Sequence, residues 1–119
     1  MSVEVIDRFL ETSGAGDIEA AVECFADDGQ WITPDGDGVG TVHTKDQIGD
    51  LMKSLNAMRE TMIASGVDAK FESPIMVDEN LGLVRWTIAT DDGKVVNRGV
   101  DLFIMSDGKI VLKDVYRKV

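Results

Sequence analysis

The 119-residue chain predicts an α+β fold, with three helices ahead of a curved antiparallel sheet. Three observations carry that expectation. Through residue 66, apolar residues recur at helical spacing; from Val67 the period shortens to two. Asp92-Gly93 and Asp107-Gly108 then punctuate alternating segments, as hairpin turns do. A chain of this length buries roughly 65% of its unfolded surface, so one domain, residues 1–119, needs no disulfide or structural metal for its core.

Val5, Ile6, Phe9 and Leu10 are spaced for a first helix, stopped by Ser13-Gly14-Ala15-Gly16. Asp17 can cap a second, whose stripe is Ile18, Ala21, Val22 and Phe25 and which ends at Asp27-Asp28-Gly29. A short strand, Gln30 to Thr33, is stopped by Pro34 and a glycine-rich acidic loop. Thr44 and Gln47 match a capping box for a long third helix, with Ile48, Leu51, Met52, Leu55 and Met62 on its apolar face and Gly66 at its end. Met58 departs from that face, which suggests a helix touching more than one surface. Strands follow at Val67–Glu72, Leu81–Thr90, Val95–Met105 and Ile110–Arg117.

The formal net charge of −10 argues against nucleic acid as a partner. The N-terminus lacks a basic segment and a long apolar run, and no stretch reaches the ~18–20 apolar residues of a membrane span. A cytoplasmic protein without membrane contact is therefore expected. The single Cys24 falls on an amphipathic helix and reads as a packed thiol. Asp35-x-Asp37-x-Val39 through Asp46 partly follows a calcium loop, but Val39 replaces a ligand and the last position lacks the bidentate Glu. A lid over a pocket fits it better, and neither metal nor cofactor is expected.

The strand from Arg98 to Met105 is apolar on both faces except for Asp101. A carboxylate there must be paired, protonated or open to a cavity, because burying a lone charge is costly. Burial in an apolar pocket raises a carboxylate's pKa toward neutrality, which suits a general acid or base. The competing reading is a structural ion pair with Arg85 or Arg98. Three helices cannot cover both faces of this sheet, so one face is expected to meet a second subunit in a homodimer.

Arg8-Phe-Leu-Glu, Gly16-Asp-Ile-Glu-Ala-Ala, Phe25-Ala-Asp-Asp28, His43-x-Lys-Asp-Gln-Ile48 and Val100-Asp-Leu-Phe103 appear in that order. With this order of elements, the chain resembles the NTF2-like superfamily, in particular its SnoaL-like and ketosteroid-isomerase-like members. The resemblance implies a cone: helices packed on a strongly bent sheet, with a deep apolar pocket at the open end. It also implies that Phe9 stands where the isomerases have a catalytic Tyr, Thr33 where they have the base, and Asp101 where they have a second, protonated Asp. Phe25 and Met52 replace supporting tyrosines. Steroid isomerisation by that mechanism is not expected, whereas SnoaL-type cyclases resemble this chain in relying on a pocket Asp.

The expected function is thus cofactor-independent isomerase, cyclase or lyase chemistry by proton transfer from Asp101 on an apolar carbonyl or polycyclic small molecule. The rival is a non-catalytic ligand-binding or dimerising module. Phe9, Trp31, Thr33, His43, Met52 and Arg85 are the expected ligand-binding residues. Trp31 stacks on a ligand or packs in the core; His43 shuttles protons or caps the helix. A two-residue turn at Asp92-Gly93 would place Arg85 opposite Val100, away from Asp101, whereas a three-residue loop with a bulge would bring both to one face. Family alignment favours the latter and turns Trp86 toward a partner subunit. The faces of Asp114 and Tyr116 depend on one residue of register, with a packed Tyr116 preferred. The Met residues suggest an adaptable apolar lining.

Overall fold

The computed structural model describes residues 3–35 and 38–118. Gly36 and Asp37, within the acidic loop and its calcium-like pattern, lie outside the described residues. Three helices, α1 (Val3–Gly14), α2 (Ile18–Glu23) and α3 (Lys45–Ala64), accompany seven strands. The strands are β1 (Phe25–Thr33), β2 (Thr41–Thr44), β3 (Val67–Phe71), β4 (Ile75–Asp78), β5 (Leu81–Thr90), β6 (Val95–Ser106) and β7 (Lys109–Arg117). They form one curled, unclosed sheet in the order β2-β1-β7-β6-β5-β3, with β4 also paired to β5. The sheet is antiparallel except for the parallel β1–β7 pair.

The second helix is shorter than its apolar stripe suggested. It begins as expected, with the Asp17 carboxylate accepting the Ala20 N–H at 3.2 Å, but Phe25 already belongs to β1, paired with Ile110. Both residues are fully buried, so sheet packing overrides the helical period. Gly29 makes the irregularity that follows possible: a Cβ there would sit 2.8 Å from the Ile110 carbonyl oxygen. The long helix keeps its capping box, with the Thr44 N–H donating to Gln47 Oε1 at 3.0 Å. Strands β2 and β4 went unforeseen, since each is only four residues long. β3 and β4 are two halves of one edge, interrupted around Pro74, and pair with successive halves of β5.

The core lies between α1–α3 and the concave face of the sheet, around Ile6, Phe9, Phe25, Ile48, Met52, Val84 and Phe103. Ile48 and Met52 of the α3 stripe are buried; Leu51, Leu55 and Met62 are half-buried, and Met58 is exposed. Cys24 is buried at the end of α2, where burial raises its thiol pKa, as fits a packed thiol. Among the described residues no helix is long and apolar enough to cross a membrane.

Two β-bulges decide which side chains face the core. The β5–β6 connection is a three-residue loop, Asp91-Asp92-Gly93, closed by the Thr90 N–H on the Lys94 carbonyl. It pairs Ala89 with Val95, a register that would bring Arg85 to the face of Asp101. Val96 is then skipped, so Ile88 pairs with Asn97 and Arg85 with Val100. Across β6–β7, the tight Asp107-Gly108 turn has positive φ at both residues and pairs Met105 with Ile110. Val111 is skipped, after which Ile104 pairs with Leu112, Phe103 with Lys113 and Asp101 with Val115. That shift turns Lys113 and Val115 inward and Asp114 and Tyr116 outward.

Candidate functional site

Asp101 is only 2% exposed and Lys113 only 4%; they are the buried charged side chains among the described residues. Lys113 Nζ lies 3.3 Å from Asp101 Oδ2. The other carboxylate oxygen, Oδ1, accepts the indole N–H of Trp86 at 2.9 Å. Asp101 is therefore paired, as the structural alternative held, but its partner is Lys113 and neither Arg85 nor Arg98.

Aromatic faces enclose the ammonium. Its Nζ sits 3.7 Å from the Trp31 ring centroid, 5.7 Å from that of Phe9 and 5.8 Å from that of Phe103. Such contacts contribute about 2 kcal/mol or more when desolvated. Phe9 meets Phe25, Trp31 and Phe103 edge-on, with centroids 5.5, 5.6 and 6.1 Å away. Burial pushes the Lys113 pKa down, and the Asp101 charge works against that shift. The Trp31 Nε1–H is buried without a hydrogen-bond partner among the described residues. An orphaned buried donor costs about 1–3 kcal/mol, so an acceptor brought beside it would be stabilised.

The ladder explains the assembly. Trp31 pairs with His43 on one side and Lys113 on the other, and Lys113 pairs with Phe103. One row of side chains thus crosses the concave face through His43, Trp31, Lys113 and Phe103. Beside it, Asp101 shares a face with Val84 on β5 and Val115 on β7. Trp86 reaches Asp101 because its ladder partner is Gly99: a Cβ on Gly99 would collide with the indole and with the Tyr116 carbonyl oxygen. Past Asp101 toward the strand ends, the inward-facing Gly99, Asn97, Val115 and Ile88 are only half-buried. The concave face opens to solvent on that side.

The expected ligand-binding residues divide accordingly. Phe9 and Trp31 touch the Lys113 ammonium, and Met52 is buried in the same core. His43 Nε2 lies 3.3 Å from Thr33 Oγ1, at the end of β1. The Thr33 hydroxyl donates to the Asp35 carboxylate, as does that of Thr41 at 2.7 Å, and these bonds hold the exposed Asp35 below its ordinary pKa. Arg85 requires correction: the Val96 bulge sends it to the convex face, where it pairs with Glu72 at 2.8 Å. Trp86 is corrected with it, because the same register turns its indole inward. Tyr116 is also exposed and not packed, its hydroxyl donating to Asp114 Oδ2 at 2.9 Å.

Lys113 was missed because a lysine in a strand ordinarily marks a wet face. Its inward turn comes from the skipped Val111, which the alternation of the strand does not mark. Three surface clefts, of about 610, 460 and 300 Å³, lie elsewhere, and Asp101 and Lys113 line none of them. The deep part of the concave face is filled by aromatic side chains.

A family model described as a SnoaL-like domain matches residues 6–113. No curated protein gives a significant match. Among solved structures, an NTF2-like protein of unknown function from Mesorhizobium loti is similar at 23% identity and a TM-score of 0.77, over 99% of this chain and 91% of that one. A candidate polyketide cyclase from Sinorhizobium meliloti is similar at 19% identity and 0.65, over 95% and 94%. Another candidate polyketide cyclase, from Pseudomonas putida, gives 15% and 0.68, over 100% and 93%. At these identities the likeness is one of fold.

Proposed function

Because the chain belongs to the SnoaL-like domain family, an NTF2-like fold, we propose that it acts on an apolar carbonyl or polycyclic small molecule by proton transfer at Asp101. The observation that carries this reading is the buried Asp101–Lys113 pair under aromatic rings, next to the open side of the concave face. Burying two charges costs several kcal/mol per ion, and well-packed apolar residues of similar volume would serve the fold as well or better. A carboxylate beside an ammonium is also a ready proton acceptor and donor. Asp101 removes or returns a proton, Lys113 neutralises the oxygen that gains charge, and Phe9 and Trp31 give the ring system an apolar wall. Thr33 and His43 stand toward the opening and orient the ligand's polar end. No cofactor enters this scheme. The molecule works as a homodimer through the convex face of the sheet.

Both tryptophans of the chain contact the pair, so ligand entry must change their emission. Titration with 2-tetralone, an apolar bicyclic ketone, is expected to give a saturable fluorescence change. A featureless titration up to the ketone's solubility limit contradicts the reading.

A second reading rests on the same closure. Asp101 and Lys113 are enclosed by Trp86, Trp31, Phe9 and Phe103 and line none of the three clefts. That favours a structural clamp in a module without chemistry. The two readings differ in what happens to stability when both charges are removed together.

A further inference from the structure

We propose that Lys113 is an imine-forming nucleophile for an apolar aldehyde or ketone, with Asp101 as its proton partner. This inference rests on the reading that the site admits a carbonyl compound, and it assigns the amine a covalent role within that reading.

Three observations converge on it. First, among the described residues Lys113 Nζ has one anionic partner, Asp101 Oδ2 at 3.3 Å, with the Trp31 ring face 3.7 Å from Nζ. Proton transfer from the ammonium to that carboxylate would leave a neutral amine, the nucleophilic form, under the aromatic rings. Desolvation activates lysines in this way: burial lowers the Lys113 pKa, and a neutral amine is the nucleophilic form. Second, the Trp31 N–H is an unpartnered donor on a side chain only 7% exposed. A carbonyl oxygen is an acceptor without a donor, the group such a site lacks. Third, Trp86 stands on the approach. Its indole lies against Gly99, the next inward position toward the opening, and its N–H holds Asp101.

The step balances without an oxidant or reductant. Lys113 gives a proton to Asp101, and the amine nitrogen adds to the carbonyl carbon as the π electrons move to oxygen. A proton passes from nitrogen to that oxygen to give the carbinolamine. Asp101 then returns its proton to the hydroxyl, the C–O bond breaks, water leaves, and the C=N bond forms. Ammonium and carbonyl become iminium and water, and the positive charge stays beside the Asp101 carboxylate. The enclosing rings slow hydrolysis of the product by keeping water out.

The wild-type protein is incubated with benzaldehyde and sodium cyanoborohydride at pH 7, digested, and mapped for benzylated lysines by mass spectrometry, with Lys113→Arg as the mapping control. Lys113 is expected to be modified about tenfold faster than the exposed Lys53 and Lys70, because desolvation favours its neutral, nucleophilic amine. Modification of Lys113 no faster than Lys53 overturns the proposal. If 2-tetralone still saturates the tryptophan emission in that case, the imine is wrong and the small-molecule site stands. If neither signal appears, both readings fall.

Discussion

Asp101 and Lys113 each account for the other's burial, because either charge alone under the aromatic rings would be untenable. Removing one partner by Asp101→Leu or Lys113→Met strands the other and is expected to cost about 3–5 kcal/mol in urea unfolding. The double variant, Asp101→Leu with Lys113→Met, is expected to be close to wild type, within about 1 kcal/mol or more stable, since apolar groups then fill the cage. A double variant as unstable as either single one would identify the pair as the clamp of a non-catalytic module. Lys113 also fixes the direction of a pH effect. Its pKa in the fold lies below the ordinary 10.5, so between those two values the unfolded chain holds the extra proton. Stability from this group therefore rises with pH across that window. Asp101 was legible as an oddity because one acid interrupts an apolar strand. Lys113 was not, since only a skipped residue at Val111 turns it inward.

At the scale of elements, strand composition was readable and strand register was not. The limits of β5 were foreseen and those of β3, β6 and β7 to within one residue, because alternation and Asp-Gly turns act locally. The bulges at Val96 and Val111 carry no comparable local mark, yet each flips every later side chain on its strand. One expels Arg85 from the expected site and the other admits Lys113. The same registers set the convex face, where Leu83, Val100, Leu102 and Leu112 are half-buried and Ile104 is 37% exposed. A second copy covering that apolar face would bury it without meeting the helices. Sedimentation is expected to give a dimer for the wild type and a monomer for Leu102→Glu, whose buried charge an interface would not tolerate; a wild-type monomer at tens of micromolar contradicts the assignment.

At the scale of the molecule, helices α1–α3 and the curled sheet make a cone whose deep part is filled by Phe9, Phe25, Trp31 and Phe103. The apolar replacements at Phe9 and Phe25 explain that filling, and both were visible in the sequence against the isomerase pattern. What the sequence withheld was the consequence: ring packing encloses the Asp101–Lys113 pair, with the Trp86 indole on its Asp101 side. Against the isomerase pattern the chain resembles, Asp101 stands at the second carboxylate's position, Phe9 and Thr33 stand in place of the phenol and the base, and Lys113 adds an amine beside Asp101. If that amine and carboxylate work on a carbonyl compound, they must move a proton. The direct measurement is deuterium exchange at the carbon next to the carbonyl of 2-tetralone, followed by NMR in D₂O. The wild type is expected to accelerate exchange over buffer, and Asp101→Asn, checked for folding by circular dichroism, to lose about a hundredfold of that rate. A folded Asp101→Asn that exchanges as fast as wild type, or a wild type no faster than buffer, would contradict proton transfer at Asp101.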